Sequence, residues 1–389
     1  MAAGLLIAAA ACAPDRESSP SPTAPSFDAP PWAGAEAGAA RYVVVFQDSV
    51  AAADVPGHAH ALAQAHGSVP DFVYERALHG FAAVLSERAV AALAADPRVR
   101  YIELDQVVEA LDQTVPWGIE RIGAGASFTV AGDGSGAVTN VNVYIIDTGI
   151  DRNHPDLNVV EHVSFAGGPN KDCNGHGTHV AGTVAAKDDA QGVVGVVPGA
   201  PLHGVKVLGC GGSGTVSGVI AGVDWVTQHA IRPAVANMSL GGGASQALDD
   251  AVGASAASGV VYALAAGNSA ADACNSSPAR AGAGTDNGII TLSAIDQGDN
   301  EAYFSNVGPC VDMAAPGVDI LSTYYKSGYA TLTGTSMAAP HAAGTAALYL
   351  SKYPAASPAT VEAAMKSTNG GLSQNSKSGT GYPIVYVGN

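Results

Sequence analysis

The stretch Val141-Asn142-Val143-Tyr144-Ile145-Ile146-Asp147-Thr148-Gly149-Ile150 decides how this chain is read. Its β-branched and aromatic residues favour a strand. From Val143 to Ile146 the apolar side chains are consecutive rather than alternate, so both faces of that strand need cover. Strands buried on both faces belong to parallel sheets with helices on either side. The run ends on a carboxylate, Asp147, followed by a turn glycine. Open α/β sheets bind ligands beyond the carboxyl ends of their strands. Taken alone, an Asp in that place is more often a turn or cap residue.

Working outward, the pattern repeats from about residue 112. LHGVKVL (202–208), AVANMSL (234–240), VVYALAA (260–266) and IITLSAI (289–295) alternate with HVAGTVAA (179–186), VIAGVDWVTQH (219–229) and APHAAGTAALYL (339–350). This is the signature of an α/β domain with a central parallel sheet. Ahead of it, residues 41–109 read as a small α+β unit in the order βαββαβ, with Ser86 as helix N-cap and a turn at His79-Gly80, which suggests a ferredoxin-like arrangement. Residues 13–40 are rich in Pro, Ser and Ala and read as a linker. Residues 1–12 contain a short apolar run, Gly4 to Ala11, before Cys12-Ala13-Pro14, which resembles an export signal. No Lys or Arg precedes it, so the start given is expected to lie downstream of the true one. Lipid attachment at Cys12 is the lesser reading, because Ala9 stands where a bacterial lipobox has Leu.

Composition narrows the function. The chain has 389 residues and a formal charge of −17. That excess of acid argues against nucleic acid as a partner. No apolar run reaches the ~18 residues a membrane-spanning helix needs. Without Cys12, four cysteines remain: Cys173, Cys210, Cys274 and Cys310. They permit disulfides in an exported protein, and three pairings are open. No Cys-x-x-Cys pair suggests structural zinc.

Two further segments carry residues suited to acyl transfer. In Asn174-Gly175-His176-Gly177-Thr178-His179, glycines flank a histidine and let a ligand approach the backbone. The spacing of the two histidines does not match a zinc-protease helix. In Gly334-Thr335-Ser336-Met337-Ala338-Ala339-Pro340-His341, a serine opens a helix, where partial positive charge favours a developing oxyanion. Each segment is weak alone. Together they present Asp147, His176 and Ser336 in the chain order Asp, His, Ser, one of the known orders of a nucleophile–base–acid triad.

On these segments, and on PWGIERI (116–122), SGVIAGVDWVT (217–227), RPAVANMSLGGG (232–243) and AAGNS (265–269), the chain resembles the subtilisin-like serine proteases of the S8 family. Within that family it is similar to the proteinase K group and its aqualysin-like members. The resemblance implies a subtilisin-like three-layer domain over 110–389, and in 41–109 an I9-type inhibitor propeptide whose tail, Asp105 to Glu109, lies in the cleft. It implies that Ser336 is the nucleophile, His176 the base and then acid, Asp147 the residue that orients the imidazole, and Asn268 an oxyanion donor. Gly212-Ser213-Gly214, Ser239-Leu240-Gly241 and Ala265-Ala266-Gly267 are implied to bind the substrate backbone. The implied disulfides are Cys173–Cys210 and Cys274–Cys310. A structural calcium is implied at Asp312, with carbonyl ligands between Asn287 and Ile289. Catalysis itself is expected to need no cofactor. The whole is expected to be a secreted, monomeric, self-processing endopeptidase of broad specificity, with proteins and peptides as substrates and its own propeptide as inhibitor. An esterase using the same triad, or a binding module with an idle site, are the alternatives.

Overall fold

The protein is described here from a computed structural model over residues 39–105, 113–284, 286–368 and 370–387. The expected leader, nearly all of the linker, the tail from Gln106 to Glu109 and the expected domain start at Ala110 lie outside the described residues. The chain divides into two compact units.

The first unit runs β1 (Ala39–Phe46), α1 (Val55–Ala65), β2 (Phe72–Tyr74), β3 (Gly80–Ser86), α2 (Glu87–Ala94) and β4 (Val99–Leu104). Its sheet is antiparallel in the order β2-β3-β1-β4. Two residues expected in the linker, Ala39 and Ala40, are strand. Helix α1 starts at Val55 with Pro56 in its first turn, where a missing N–H costs nothing. Ser86 caps α2, its hydroxyl accepting from Ala89 N at 3.3 Å. Both helices cover one face of the sheet, with Ala59, Leu62 and Leu93 against Val44, Phe46, Phe81 and Leu85.

The second unit begins with α3 (Trp117–Arg121), β5 (Asn142–Asp147), β6 (Val159–Ser164), α4 (His176–Ala185), β7 (Leu202–Lys206) and α5 (Val216–His229). It continues through β8 (Ala234–Met238), β9 (Gly242–Gly243), α6 (Gln246–Ala257), β10 (Val260–Ala265), β11 (Ser276–Ser277) and β12 (Ile289–Ile295). It closes with β13 (Met313–Pro316), β14 (Ile320–Tyr324), β15 (Gly328–Leu332), α7 (Thr335–Lys352) and α8 (Pro358–Ser367). Seven strands form one parallel sheet in the order β13-β12-β10-β8-β5-β7-β6.

The consecutive apolar run of β5 is explained by the layers on either side. Val143 and Ile145 join a core with Val180, Ala181 and Val184 of α4 and the alanines of α7. Tyr144 and Ile146 point the other way, into a core with Val219, Val223 and Val226 of α5 and Leu248 and Val252 of α6. Helix α7 is buried along most of its length and is built from Ala338, Ala339, Ala342, Ala343, Gly344, Ala346 and Ala347, so it seats close to the sheet. At Gly344 a Cβ would stand 2.5 Å from Val196 Cβ and 3.0 Å from both its methyls. Among the described residues no helix is long and apolar enough to cross a membrane.

Gly344→Ala sets two effects against each other. Alanine gains up to about 1 kcal/mol of helix propensity, whereas overpacking a closed core costs about 1–3 kcal/mol. The contact is with the branched Cβ of Val196, which cannot swing aside, so the steric cost wins. The variant is expected to denature at a lower temperature in scanning calorimetry; an unchanged or raised midpoint contradicts this packing.

Candidate active site

Strand β5 delivers Asp147 at its carboxyl end, fully buried. Its Oδ1 accepts from Thr148 N at 2.6 Å and from His176 Nδ1 at 2.8 Å. Donation from Nδ1 leaves Nε2 as the lone-pair nitrogen of the neutral ring. His176 is the first residue of α4. The turn before it requires Gly175 at φ 107°, a left-handed conformation that only glycine adopts freely. One residue on, a Cβ at Gly177 would collide with the Gly149 carbonyl, so the helix can approach the end of β5 only with glycine there.

Burial works against the charged imidazolium of His176. The charge of Asp147, the hydrogen bond to it and the charge of Asp172 outweigh burial, leaving the pKa above its ordinary 6.5.

Ser336 is the second residue of α7. Its hydroxyl donates to Ser239 O at 3.2 Å, not to His176. Looser nucleophile–base geometry is common before substrate binds. The same two serines are joined in the other direction, Ser239 Oγ donating to Ser336 O at 2.7 Å. Pro340, four residues on, has no N–H to offer that carbonyl, so the usual helical donor is absent and Ser239 takes its place.

Asn268 follows the loop after β10. Its Oδ1 accepts from Thr335 N and Thr335 Oγ1, both at 2.9 Å. Those two donors fix the amide, so Nδ2 is the free end. The point where a Cβ on Gly334 would stand lies 3.3 Å from Asn268 Nδ2 and 3.7 Å from Ser336 N. The two nitrogens therefore border one small space.

The proposed substrate-binding segments gather around this centre. A cleft of about 430 Å³ is lined by His176 and Ser336 together with Gly212, Ser213, Gly214, Ser239, Leu240 and Gly241. An adjoining one of about 370 Å³ is lined by Leu240, Gly241, Ala265, Ala266, Gly267, Asn268 and Ser336. Disulfides Cys173–Cys210 and Cys274–Cys310 are present, with Cα atoms 5.0 and 5.3 Å apart.

Several residues that the sequence reading did not single out hold the site. Asp172, two residues ahead of the quoted histidine segment, accepts five hydrogen bonds, from Thr148 Oγ1, Asn174 N, Gly175 N, Thr178 N and Thr178 Oγ1. Lys206 is buried, and its ammonium donates to Thr148 O at 2.6 Å and Leu208 O at 2.9 Å. Asn306 accepts from Ser269 N and Ala271 N and donates to Ala266 O, shaping the loop that carries Asn268. Their signal in sequence was only that of polar residues beside the motifs.

Asp312 does not fit the expected calcium. Its Oδ2 accepts from Thr291 N at 2.8 Å and its Oδ1 pairs with Lys366 Nζ at 2.9 Å. Of the carbonyls expected beside it, that of Gly288 accepts from Tyr262 N at 2.9 Å. The cation that pairs with Asp312 here is an ammonium.

Residues 139–382 match the Subtilase family, and residues 41–111 match Peptidase inhibitor I9. An "Extracellular serine proteinase" of Thermus sp. (strain Rt41A) is 42% identical over 381 residues, covering 89% of this chain and 90% of that protein. "Alkaline serine exoprotease A" of Vibrio alginolyticus is 42% identical over 353 residues, covering 83% of this chain and 62% of that protein. The crystal structure of a cold adapted subtilisin-like serine proteinase superposes with a TM-score of 0.62 at 43% identity, covering 70% of this chain and 97% of that one. The chain is a subtilisin-like serine proteinase of the Subtilase family, with an I9 inhibitor domain ahead of its peptidase domain.

Proposed function

We propose that the four residues Asp147, His176, Ser336 and Asn268 carry peptide-bond hydrolysis through an acyl-enzyme, and that the chain acts outside the cell as a monomeric, self-processing endopeptidase. The observation that carries this reading is that His176, hydrogen-bonded to Asp147, lines one cleft with Ser336, while Asn268 Nδ2 and Ser336 N border one small space. A serine hydroxyl is too weakly acidic to attack an amide unaided. His176 Nε2 takes its proton as Oγ bonds to the carbonyl carbon, and returns it to the departing amine. Asp147 holds the ring and favours the imidazolium formed in that step. Asn268 Nδ2 and Ser336 N donate to the oxygen as it becomes an anion. Water, activated by the same histidine, then releases the acyl group. The reaction uses the chain's own groups throughout.

The substrate is proposed to be extended polypeptide. Gly212-Ser213-Gly214 and Ser239-Leu240-Gly241 face the cleft from two sides, and main-chain pairing with such segments recognises backbone more than side chain. This supports broad specificity and favours peptides over small esters. The I9 domain is proposed to inhibit the peptidase until cleavage between about Asp105 and Gln113.

Three outcomes are expected. Ser336→Ala should leave the purified precursor at full length and inactive on casein; maturation of that variant in pure form would contradict self-processing. Asn268→Ala should lower kcat by about 10²–10³ with little change in KM, read from steady-state kinetics on a peptide anilide. The base must be neutral to act, and the His176 pKa is raised. The acid limb of kcat/KM should therefore rise with a midpoint above 6.5. Asp147→Asn removes the charge that raises it, so that limb should move to lower pH while kcat falls by about 10⁴. An acid limb that moves upward in Asp147→Asn would contradict the assignment.

A further inference from the structure

The expected calcium position is the place where this chain's residues depart from the resemblance, and the departure has a definite chemistry. Lys366 lies in the last turn of α8, and its Nζ meets three carboxylate oxygens: Glu362 Oε1 at 2.5 Å, Asp312 Oδ1 at 2.9 Å and Asp286 Oδ1 at 3.4 Å. An ammonium has three N–H donors; this one hydrogen-bonds to Glu362 and Asp286 and forms an ion pair with Asp312. The two nearer carboxylates are themselves fixed by the backbone at the entry to β12. Glu362, fully buried, accepts from Gly288 N at 2.7 Å through its second oxygen, and Asp312 accepts from Thr291 N. Both anions are thus held rigidly before any cation is considered. Buried carboxylates of this kind need a positive partner within a few ångströms.

We propose that Lys366 is the resident cation of this site: its ammonium occupies the position a structural calcium would take between Asp312, Glu362 and Asp286, and makes that position independent of metal. The three oxygens around Nζ are hard ligands of the type calcium selects; the Glu362 oxygen at 2.5 Å lies within the calcium–oxygen range, and those of Asp312 at 2.9 Å and Asp286 at 3.4 Å lie a few tenths of an ångström to about an ångström beyond it. A single side chain decides between the two cations. The ammonium is delivered by the fold itself and is not lost to chelators, whereas a bound ion is lost by mass action when its free concentration falls.

The test compares the full-length chain carrying Ser336→Ala, to prevent self-digestion, in four forms: otherwise unchanged, Asp312→Asn, Lys366→Met, and Lys366→Met with Asp312→Asn. Bound calcium is counted by equilibrium dialysis against millimolar calcium and metal analysis. Thermal midpoints are taken in calcium and in EGTA. Asp312→Asn should bind as many calcium ions as the unchanged chain. Lys366→Met should bind one more and show a larger calcium-dependent rise in midpoint, and adding Asp312→Asn should abolish both gains. If Lys366→Met folds only when calcium is present, that rescue is the same result in stronger form. The proposal is overturned if Asp312→Asn lowers the calcium count of the unchanged chain, for then metal binds there beside the lysine. It is equally overturned if Lys366→Met binds no additional ion, for then the ammonium is an ion-pair partner and no substitute for a metal.

Discussion

Asp172 is a carboxylate taken almost wholly out of water, and such a group is tolerable only when its oxygens are saturated with donors. The donors it collects come from two places. One is the hydroxyl of Thr148, the residue after Asp147; the others are the amides of Asn174, Gly175 and Thr178 and the hydroxyl of Thr178, around the start of the helix that bears His176. Thr148 Oγ1 also accepts from Gly177 N at 2.9 Å, closing the link. The end of β5 and the start of α4 are therefore set against each other by one anion. The short Asp147–His176 bond is a consequence of that placement. The anion also adds to the field that keeps the imidazole basic, so positioning and electrostatics come from the same group.

The nucleophile side is organised by a different logic. Here one side-chain amide, of Asn268, and one main-chain amide, of Ser336, are proposed to stabilise the charge, and neighbouring side chains hold both in place. Thr335 turns the Asn268 amide, its own Oγ1 accepting from Gly267 N at 3.1 Å. Asn306 pins the loop beneath. Donors held in this way need not reorganise when negative charge develops, which is what makes them effective. Lys206 does comparable service on the far side. Its buried ammonium joins the carbonyls of Thr148 and Leu208, and so ties the strand end bearing Asp147 to the start of the cleft segment that leads to Gly212.

The fold was legible because its signals are local. Uninterrupted apolar runs such as 260–266 point to doubly covered strands, and β10 spans Val260–Ala265. The glycines of the histidine segment were legible as places of close approach. The supporting layer was not. Nothing in the sequence distinguishes Asp172 from a solvated loop aspartate, since its five donors are brought together by the crossing of a strand and a helix. Asp312 is a different case. Its expected role rested on one matched residue, whereas the partner it has in the fold, Lys366, lies 54 positions further along the chain and reaches it only through the packing of α8.

Pro340 has a mechanical consequence. In an ordinary helix the carbonyl of the nucleophilic residue would belong to the next turn, and its position would follow every flexing of the rod behind it. Here that carbonyl is handed to Ser239, whose hydroxyl is itself held by Asn237 Nδ2 at 2.9 Å. Ser336 is thereby yoked to the Ser239 segment proposed to bind the peptide, and the two travel as one piece. Thermal bending of an eighteen-residue helix can then be absorbed further along its length, leaving the alignment between the serine and the bond it attacks unchanged.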